Sequence, residues 1–312
     1  MKALITGVTG FVGLYLAEHL LECGDEVMGC ALGNWTDETP DRVRRDVSLF
    51  SWDMSDSQSD GVRQQVERFA PDCVYHLAAL STPGDCGGAT PTDRAVAINV
   101  GGTRDVLQLA ADVESRPRVL VTSSAYVYAP VNSDNPAVAE DAPVGPVDAY
   151  GQTKLAAERE CLARADDGVD VVIARAFSQT GPRQIPRFML PEWASQFADE
   201  QAKSIRVITL DSHLDLSDVR DTVTAYRLLA QHGQASEIYN VGSGRCVCSG
   251  DVFRQLQELA GQSRPAVQRS PGRRQHPIAD VSRLIAATGW QPRIPLERTI
   301  SDTLAYWRSR SA

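Results

Sequence analysis

Tyr150 and Lys154, in the run Tyr150-Gly151-Gln152-Thr153-Lys154, put a phenol and an ammonium four residues apart. On a helix that spacing places both on one face. A phenol of ordinary pKa, about 10, exchanges a proton near neutrality only if a neighbouring cation stabilises its phenolate, and Lys154 is the candidate cation. A second polar group comes from Thr122-Ser123-Ser124-Ala125-Tyr126-Val127-Tyr128, which follows an apolar run at 118–123. That run reads as a buried strand, and parallel sheets place ligands at the carboxyl ends of their strands. Ser124 is the expected hydrogen-bond partner of a reacting oxygen, with Ser123 in reserve. A serine, a tyrosine and a lysine so arranged suit proton exchange at a carbonyl or secondary alcohol.

The run Gly7-Val8-Thr9-Gly10-Phe11-Val12-Gly13 lies between a short apolar segment, 2–6, and apolar residues at helical spacing, 14–23. Glycines at a strand-to-helix turn let a pyrophosphate approach the backbone and meet helix N–H groups. A dinucleotide is therefore expected against Gly7, Thr9, Gly10, Phe11, Val12 and Gly13, with Lys154 also holding its nicotinamide ribose. The spacing is GxxGxxG rather than GxGxxG. Choice between NAD and NADP normally falls to the end of the second strand, where Cys30-Ala31-Leu32-Gly33-Asn34 offers no charge. Asn34 is expected to bond either form of the ribose, Asp37 reads as a solvated loop acid, and the preference stays open with a lean to NAD.

Elements that could position these groups follow in alternation. Strands are expected at 2–6, 26–31, 73–77, 118–123 and 169–175, and helices at 14–23, 61–69, 92–113 and 149–165. Such a pattern implies an α/β fold with a Rossmann-type doubly wound parallel sheet. After Phe177 the rhythm breaks at Pro182, Pro186 and Pro191, ahead of a helical stretch at 193–202. A strand at 238–241 is expected to return to the main sheet, and 296–307 reads as a terminal amphipathic helix. The expected division is a NAD(P)-binding domain at 1–176, joined by segments near 215–242, and a smaller α/β substrate-binding domain mainly within 177–312.

Composition narrows the function. The 312 residues are 43% hydrophobic and 23% charged, with a net charge of -9, and no basic stripe suited to nucleic acid stands out. The opening MKALITGVTGFVG lacks the regions of a signal peptide, and charges or glycines interrupt every apolar run, so a cytoplasmic protein without a membrane partner is expected. Seven cysteines, an odd number, are expected to be reduced thiols, and Cys246-Val247-Cys248 alone does not make a metal site.

Taken together, GxxGxxG, Asp53 in WDMSD, HLAA at 76–79, SSAYVY, YGQTK and YNVGSG resemble the extended short-chain dehydrogenase/reductase family over nearly the whole chain. The resemblance implies that Asp53 and Met54 lie near adenine, Leu77, Ala78 and Ala79 along the pyrophosphate and ribose, and Phe177 beside the nicotinamide. It makes Thr122 a cofactor neighbour and Asn99 a structural or relay residue. AFSQTGPRQ, LDLSDVRDTVTAY and ATGWQPRIPLERTISDTLAYWR look most like GDP-6-deoxy-4-keto-mannose reductases and the related GDP-mannose dehydratases, so a nucleotide sugar is the implied substrate. Ser81, Ser123, Ser124, Tyr126, Ser178 and Gln179 are then expected on its side of the site. The Glu that a 4,6-dehydratase carries in its serine-rich motif is here Tyr126, which disfavours dehydration. Ser178 replaces a usual Asn, and Leu214 and Ser270 replace arginines expected to meet phosphate, leaving Arg183, Arg187, Arg220, Arg273 and Arg274 as alternative cations. The implied reaction is reduction of a 4-keto sugar, with Ser124, Tyr150 and Lys154 catalytic. A 4-epimerase with retained NAD is the alternative, and a non-catalytic NAD(P)-binding sensor or scaffold a remote one. The helices near 92–113 and 149–165 resemble those that pair subunits in the family, so a homodimer is expected.

Overall fold

In the segment Lys2–Thr6, Ala3 and Ile5 join one hydrophobic cluster while Leu4 joins another, the two-residue alternation of a strand buried on both faces. The computed structural model describes residues 1–56 and 60–311, and in it this strand, β1, is one of seven in a single sheet. The others are β2 (Glu26–Ala31), β3 (Ser48–Ser51), β4 (Cys73–His76), β5 (Arg118–Ser124), β6 (Val171–Ala176) and β7 (Ile238–Val241). Their order is β7-β6-β5-β4-β1-β2-β3, and every pairing is parallel. The doubly wound sheet is thus present, and its winding reverses between β1 and β4, where such sheets open a crevice at their carboxyl ends.

Helices Phe11–Glu22 and Val219–His232 cover one face through Leu16, Leu20, Val223 and Tyr226. Helices Asp60–Phe69, Gly102–Asp112 and Ala149–Asp166 cover the other through Val66, Leu107 and Cys161. A third cluster stands apart from the sheet, with Trp193, Phe197, Phe253, Leu256 and Ile300 from helices Met189–Ala198, Ser249–Ala260 and Leu296–Ser311. Trp193 and Phe253 meet edge to face at 5.8 Å.

Local detail departs from the sequence expectations at several places, and strand Ser212–Asp218 and helices Val219–His232 and Ser249–Ala260 had no counterpart among them. Helix Asp41–Asp46 and β3 were not foreseen, because a four-residue edge strand carries too short an apolar pattern. The helix expected over 92–113 is broken by a π-helical turn at Ala97–Gly101 between Asp93–Val96 and Gly102–Asp112. The extra residue in that turn aims Asn99 inward, and Gly102 lets the helix pass Met54, since a Cβ there would lie 3.0 Å from the Met54 Cβ. The helix expected over 193–202 instead spans Met189–Ala198, because Pro191 falls in its first turn, where its missing N–H leaves no bond unmade. Strand Ser212–Asp218 runs parallel to Ser178–Thr180 and antiparallel to Cys246–Cys248, and carries Asp215 towards the crevice. All seven cysteines are free thiols. Among the described residues no cluster of three metal-ligating side chains occurs, and no helix is long and apolar enough to cross a membrane.

Candidate active site

The chain leaves β1 into a turn that only glycine fits. Gly7 is left-handed at φ +69°, and a Cβ there would stand 2.9 Å from the Ala78 Cα. A Cβ on Gly13 would come within 2.4 Å of the Gly7 carbonyl oxygen, so the helix starts pressed against the turn. No side chain caps Phe11–Glu22, and its first residues line a cleft of about 810 Å³. This end of the cleft has Gly7, Thr9, Gly10, Phe11, Val12 and Gly13 on one wall, Ala31, Leu32, Asp53 and Met54 on the next, and Leu77, Ala78 and Ala79 opposite. The Thr6 hydroxyl holds that last wall in place by accepting from the N–H groups of Leu77 and Ala78, both at 3.2 Å. A close backbone cradle at a helix N-terminus, with an acid and apolar surface beyond it, fits a dinucleotide.

Tyr150 and Lys154 stand on helix Ala149–Asp166, whose N-terminus is capped by Asp148 accepting from the Gly151 N–H at 2.9 Å. Gly151 allows the helix to press on the β5 exit, because a Cβ there would lie 2.3 Å from the Tyr126 carbonyl oxygen. Tyr150 lines the cleft together with Ser124 and meets the Tyr126 ring edge-on at 5.7 Å. Burial raises its phenol above the ordinary value, opposed by the nearby Ser124 hydroxyl. Lys154 lies behind the phenol, with Nζ 5.9 Å from the Tyr150 ring centroid and donating to the Thr122 carbonyl at 2.9 Å. Burial lowers its ammonium to about 8, against the opposing influence of Cys161, Cys86 and Glu158. At neutral pH the pair is a proton-bearing phenol beside an ammonium, an arrangement able to donate a proton to an oxygen placed at Ser124.

Ser81, Ser124, Tyr126, Ser178 and Gln179 all line the cleft, as does Phe177. Several other expected site residues do not. Ser123, opposite Ser124 by strand alternation, donates from Oγ to Glu158 Oε1 at 2.5 Å. Thr122 spends its hydroxyl on the His76 carbonyl and offers only its own carbonyl to Lys154. The Asn99 carboxamide is buried and used up, accepting from the Leu80 N–H and donating to the Leu80 carbonyl and the Thr153 hydroxyl. Asn34 is exposed beyond the cleft, whose wall at that strand end is Ala31 and Leu32.

Three of the candidate phosphate-binding arginines, Arg183, Arg187 and Arg220, are held in ion pairs. Arg183 pairs with Glu18 and stacks on the Tyr15 ring, and Arg187 pairs with Asp85 at 2.8 Å. Arg220 is held by Asp218 and Asp302 at 2.7 and 2.9 Å. Arg274 is exposed and donates to the Ser270 hydroxyl, and Arg273 is exposed as well. Leu214 packs in the antiparallel pair opposite Val247.

Residues that the sequence reading missed complete the wall: Arg94 and Trp52 near Asp53, and Gln184, Phe188, Asp215, Gln275 and His276 at the far end. Among the described lining residues Arg94 is the only Lys or Arg, and it helps hold the Asp53 carboxyl below its usual range after the hydrogen bonds from Ser55. Asp215 is saturated, accepting from the N–H groups of Ser243, Gly244 and Ala279 and from the Ser243 hydroxyl. Its carboxylate ties three segments together. Burial, and after it Arg274, holds the His276 imidazole below its usual value.

A glycine turn at the winding reversal and a serine, tyrosine and lysine set at the neighbouring strand end define a short-chain dehydrogenase/reductase of the extended type. The chain belongs to the NAD dependent epimerase/dehydratase family, whose sequence profile matches residues 3–242. It is 29% identical to a GDP-6-deoxy-D-mannose reductase of Pseudomonas aeruginosa, over 99% of this chain and 98% of the relative. It is 27% identical to a UDP-glucose 4-epimerase of Bacillus subtilis, over 100% of this chain and 97% of the relative. The solved structure of RMD from Pseudomonas aeruginosa complexed with NADPH is similar over 99% of both chains, with a TM-score of 0.82 and 27% identity.

Proposed function

We propose that this protein reduces the 4-keto group of a nucleotide-linked 6-deoxyhexose with NAD(P)H. The observation that carries the reading is the placement of Tyr150 in the cleft beside Ser124, with Lys154 Nζ 5.9 Å from the centre of its ring. The GDP-6-deoxy-D-mannose reductase relative, matched over nearly all of both chains, supports the substrate.

The dinucleotide would be held by the turn from Gly7 to Gly13, by Ala31, Leu32, Asp53 and Met54 at its adenosine end, and by Ala78, Tyr150, Lys154 and Phe177 towards its nicotinamide. When bound, it supplies the hydride to the substrate carbon. Ser124 fixes the substrate oxygen by hydrogen bonding, and Tyr150 delivers its phenolic proton to that oxygen. Lys154 steadies the resulting phenolate, held in place by the Thr122 carbonyl. Phe177 and Phe188 add apolar surface to the cleft wall. Among the described lining residues the carboxylates are Asp53 at the adenosine end, Asp148 and Asp215, the last two occupied as a helix cap and a backbone tie, which disfavours dehydration.

A 4-epimerase with retained NAD is the second reading, favoured by the uncharged end of β2, which has no arginine for the 2′-phosphate of NADPH. The two-part division, with 1–176 and 215–242 serving the dinucleotide and most of the rest the substrate, belongs to the same proposal, as does a homodimer through helices Gly102–Asp112 and Ala149–Asp166. Arg104 and Glu160 bridge those two helices at 2.7 Å, and Leu162 is exposed beside them.

The test is to purify the protein without added cofactor, unfold it and identify the dinucleotide released. An empty protein that then oxidises NADH or NADPH with a 4-keto nucleotide sugar supports the reductase, whereas equimolar NAD transfers the case to the epimerase. Tyr150→Phe is expected to lower kcat by about 100-fold or more, the usual scale of a positioned proton donor. Full activity in that variant would remove Tyr150 from the chemistry.

A further inference from the structure

Helix Ala149–Asp166 presents Tyr150, Lys154 and Glu158 at one-turn intervals, and each meets the end of β5. Tyr150 lines the cleft with Ser124, Lys154 donates to the Thr122 carbonyl, and Glu158 accepts from the Ser123 hydroxyl. The Glu158 carboxylate is buried and grips Arg175 of β6 through both oxygens, at 2.9 and 2.8 Å. Arg175 in turn donates to the Glu140 carbonyl and lies 4.8 Å over the ring of Tyr128, a residue of the cleft wall. A buried ion pair gains little stability over apolar packing of the same volume, which points to a task beyond holding the fold.

Glu158 is buried one helical turn beyond Lys154, on the same face of the helix. The groups acting on the Lys154 ammonium are Cys161 and Glu158 from its own helix and Cys86 from segment Pro83–Cys86, with Tyr150 one turn away and His76 of β4 close enough to feel the lysine charge. Burial pushes both thiols and the Tyr150 phenol up, and holds His76 at about 3, so all four are neutral at pH 7. Glu158 is the one carboxylate among them.

We infer that Glu158 is the counter-charge that keeps Lys154 an ammonium, with its carboxylate fixed by Arg175 and Ser123, and so acts as a positioning residue for the Tyr150 and Lys154 pair. Its effect on turnover rests on the reading of Tyr150 and Lys154 given above, but its effect on the lysine charge does not.

The chain has three lysines, Lys2, Lys154 and Lys203. Lysine-selective carbon-13 labelling therefore gives three side-chain resonances, assigned with Lys2→Arg and Lys203→Arg variants, and these are titrated in the cofactor-free protein. In Glu158→Gln the Lys154 midpoint is expected to fall by about one pH unit or more, the scale of losing a neighbouring opposite charge. The alkaline limit of kcat should move down with it, while KM for the sugar changes little. Glu158→Gln/Arg175→Met removes both charges in near-equal volume, and its Lys154 midpoint should lie between those of Glu158→Gln and wild type. Ser123→Ala, which removes a hydrogen bond and no charge, should leave the midpoint in place. An unmoved Lys154 midpoint in folded Glu158→Gln overturns the inference, and if that variant does not fold, a midpoint equal to wild type in the double variant does so. A midpoint that moves while Tyr150→Phe stays fully active would uphold the charge pairing and defeat the functional reading instead.

Discussion

Gly13→Ala tests the cofactor end most severely. A Cβ at this position would lie 2.4 Å from the Gly7 oxygen, 2.7 Å from the Val8 Cα and 2.8 Å from the Val8 oxygen. All three are backbone atoms, so no side chain can swing aside. Restoring an ordinary carbon–oxygen separation of roughly 3.3 Å requires the start of helix Phe11–Glu22 to retreat by about 0.9 Å. Overpacking of that kind costs about 1–3 kcal/mol of stability, or a melting temperature lower by about 1–5 °C in a protein of this size. The retreat also carries the first helical N–H groups away from the cleft. Losing one charge-assisted hydrogen bond to a pyrophosphate, worth about 1.5–3 kcal/mol, weakens binding by about 10- to 100-fold. Calorimetric titration with NADH and NADPH, beside a thermal melt, measures both effects. Gly24→Ala is the control, because its Cβ would meet nothing within 4 Å although φ is +80°, so strain lowers stability while affinity holds. A Gly13→Ala protein that binds dinucleotide as wild type does, with an unchanged melt, would refute the seat assigned to the cofactor.

Three further outcomes are expected. Burial holds the His76 imidazole at about 3 against an ordinary 6.5, so between those values the unfolded chain takes up a proton that the folded chain refuses. Stability should fall as pH drops through that interval, by on the order of 1 kcal/mol for each pH unit, and denaturant melts of His76→Gln at pH 7 and in acid should show that part of the slope gone. Asn99→Ala strips partners from the Leu80 backbone and Thr153, and should cost about 2–4 kcal/mol while dinucleotide affinity, measured by the same titration, stays put. Arg187→Ala removes an exposed ion pair with Asp85 and should change stability by less than about 1 kcal/mol and leave the sugar KM near wild type; a large rise in KM would return Arg187 to the substrate.

The parts of this protein that could be read from its sequence are those governed by local rules. Ala3, Leu4 and Ile5 belong to an unbroken apolar run because both faces of β1 are covered, and the glycines after it have a steric meaning that spacing alone conveys. Tyr150 and Lys154 are four residues apart on one helix, so their meeting needs no tertiary information. Ser123 and Ser124 could have been separated by strand parity, since adjacent residues point to opposite faces. The arginines could not: Arg183, Arg187 and Arg220 find partners at Glu18, Asp85, Asp218 and Asp302, three of which lie far along the chain. Gln184, Gln275, His276 and Arg94 reach the cleft on loops, a two-residue strand and a short helix whose course is set by packing rather than by periodicity. The π turn at Ala97–Gly101 left one legible trace, the glycine pair Gly101 and Gly102.

The last strand of the sheet, β7, is drawn from residues 238–241, and helix Val219–His232, which shields one face beside helix Phe11–Glu22, comes just before it. A ribosome making this chain therefore releases six strands long before the seventh can close the edge at β6. Until residue 232 has emerged, Leu120, Val172 and Ala174 lack the cover of Val223, Tyr226 and Leu229, and until residue 241 the edge of β6 stays open to wrong pairings. Synthesis stalled between residues 176 and 241 should accordingly yield a chaperone-bound, protease-sensitive intermediate, and the full sheet should form only as the later segments leave the exit tunnel.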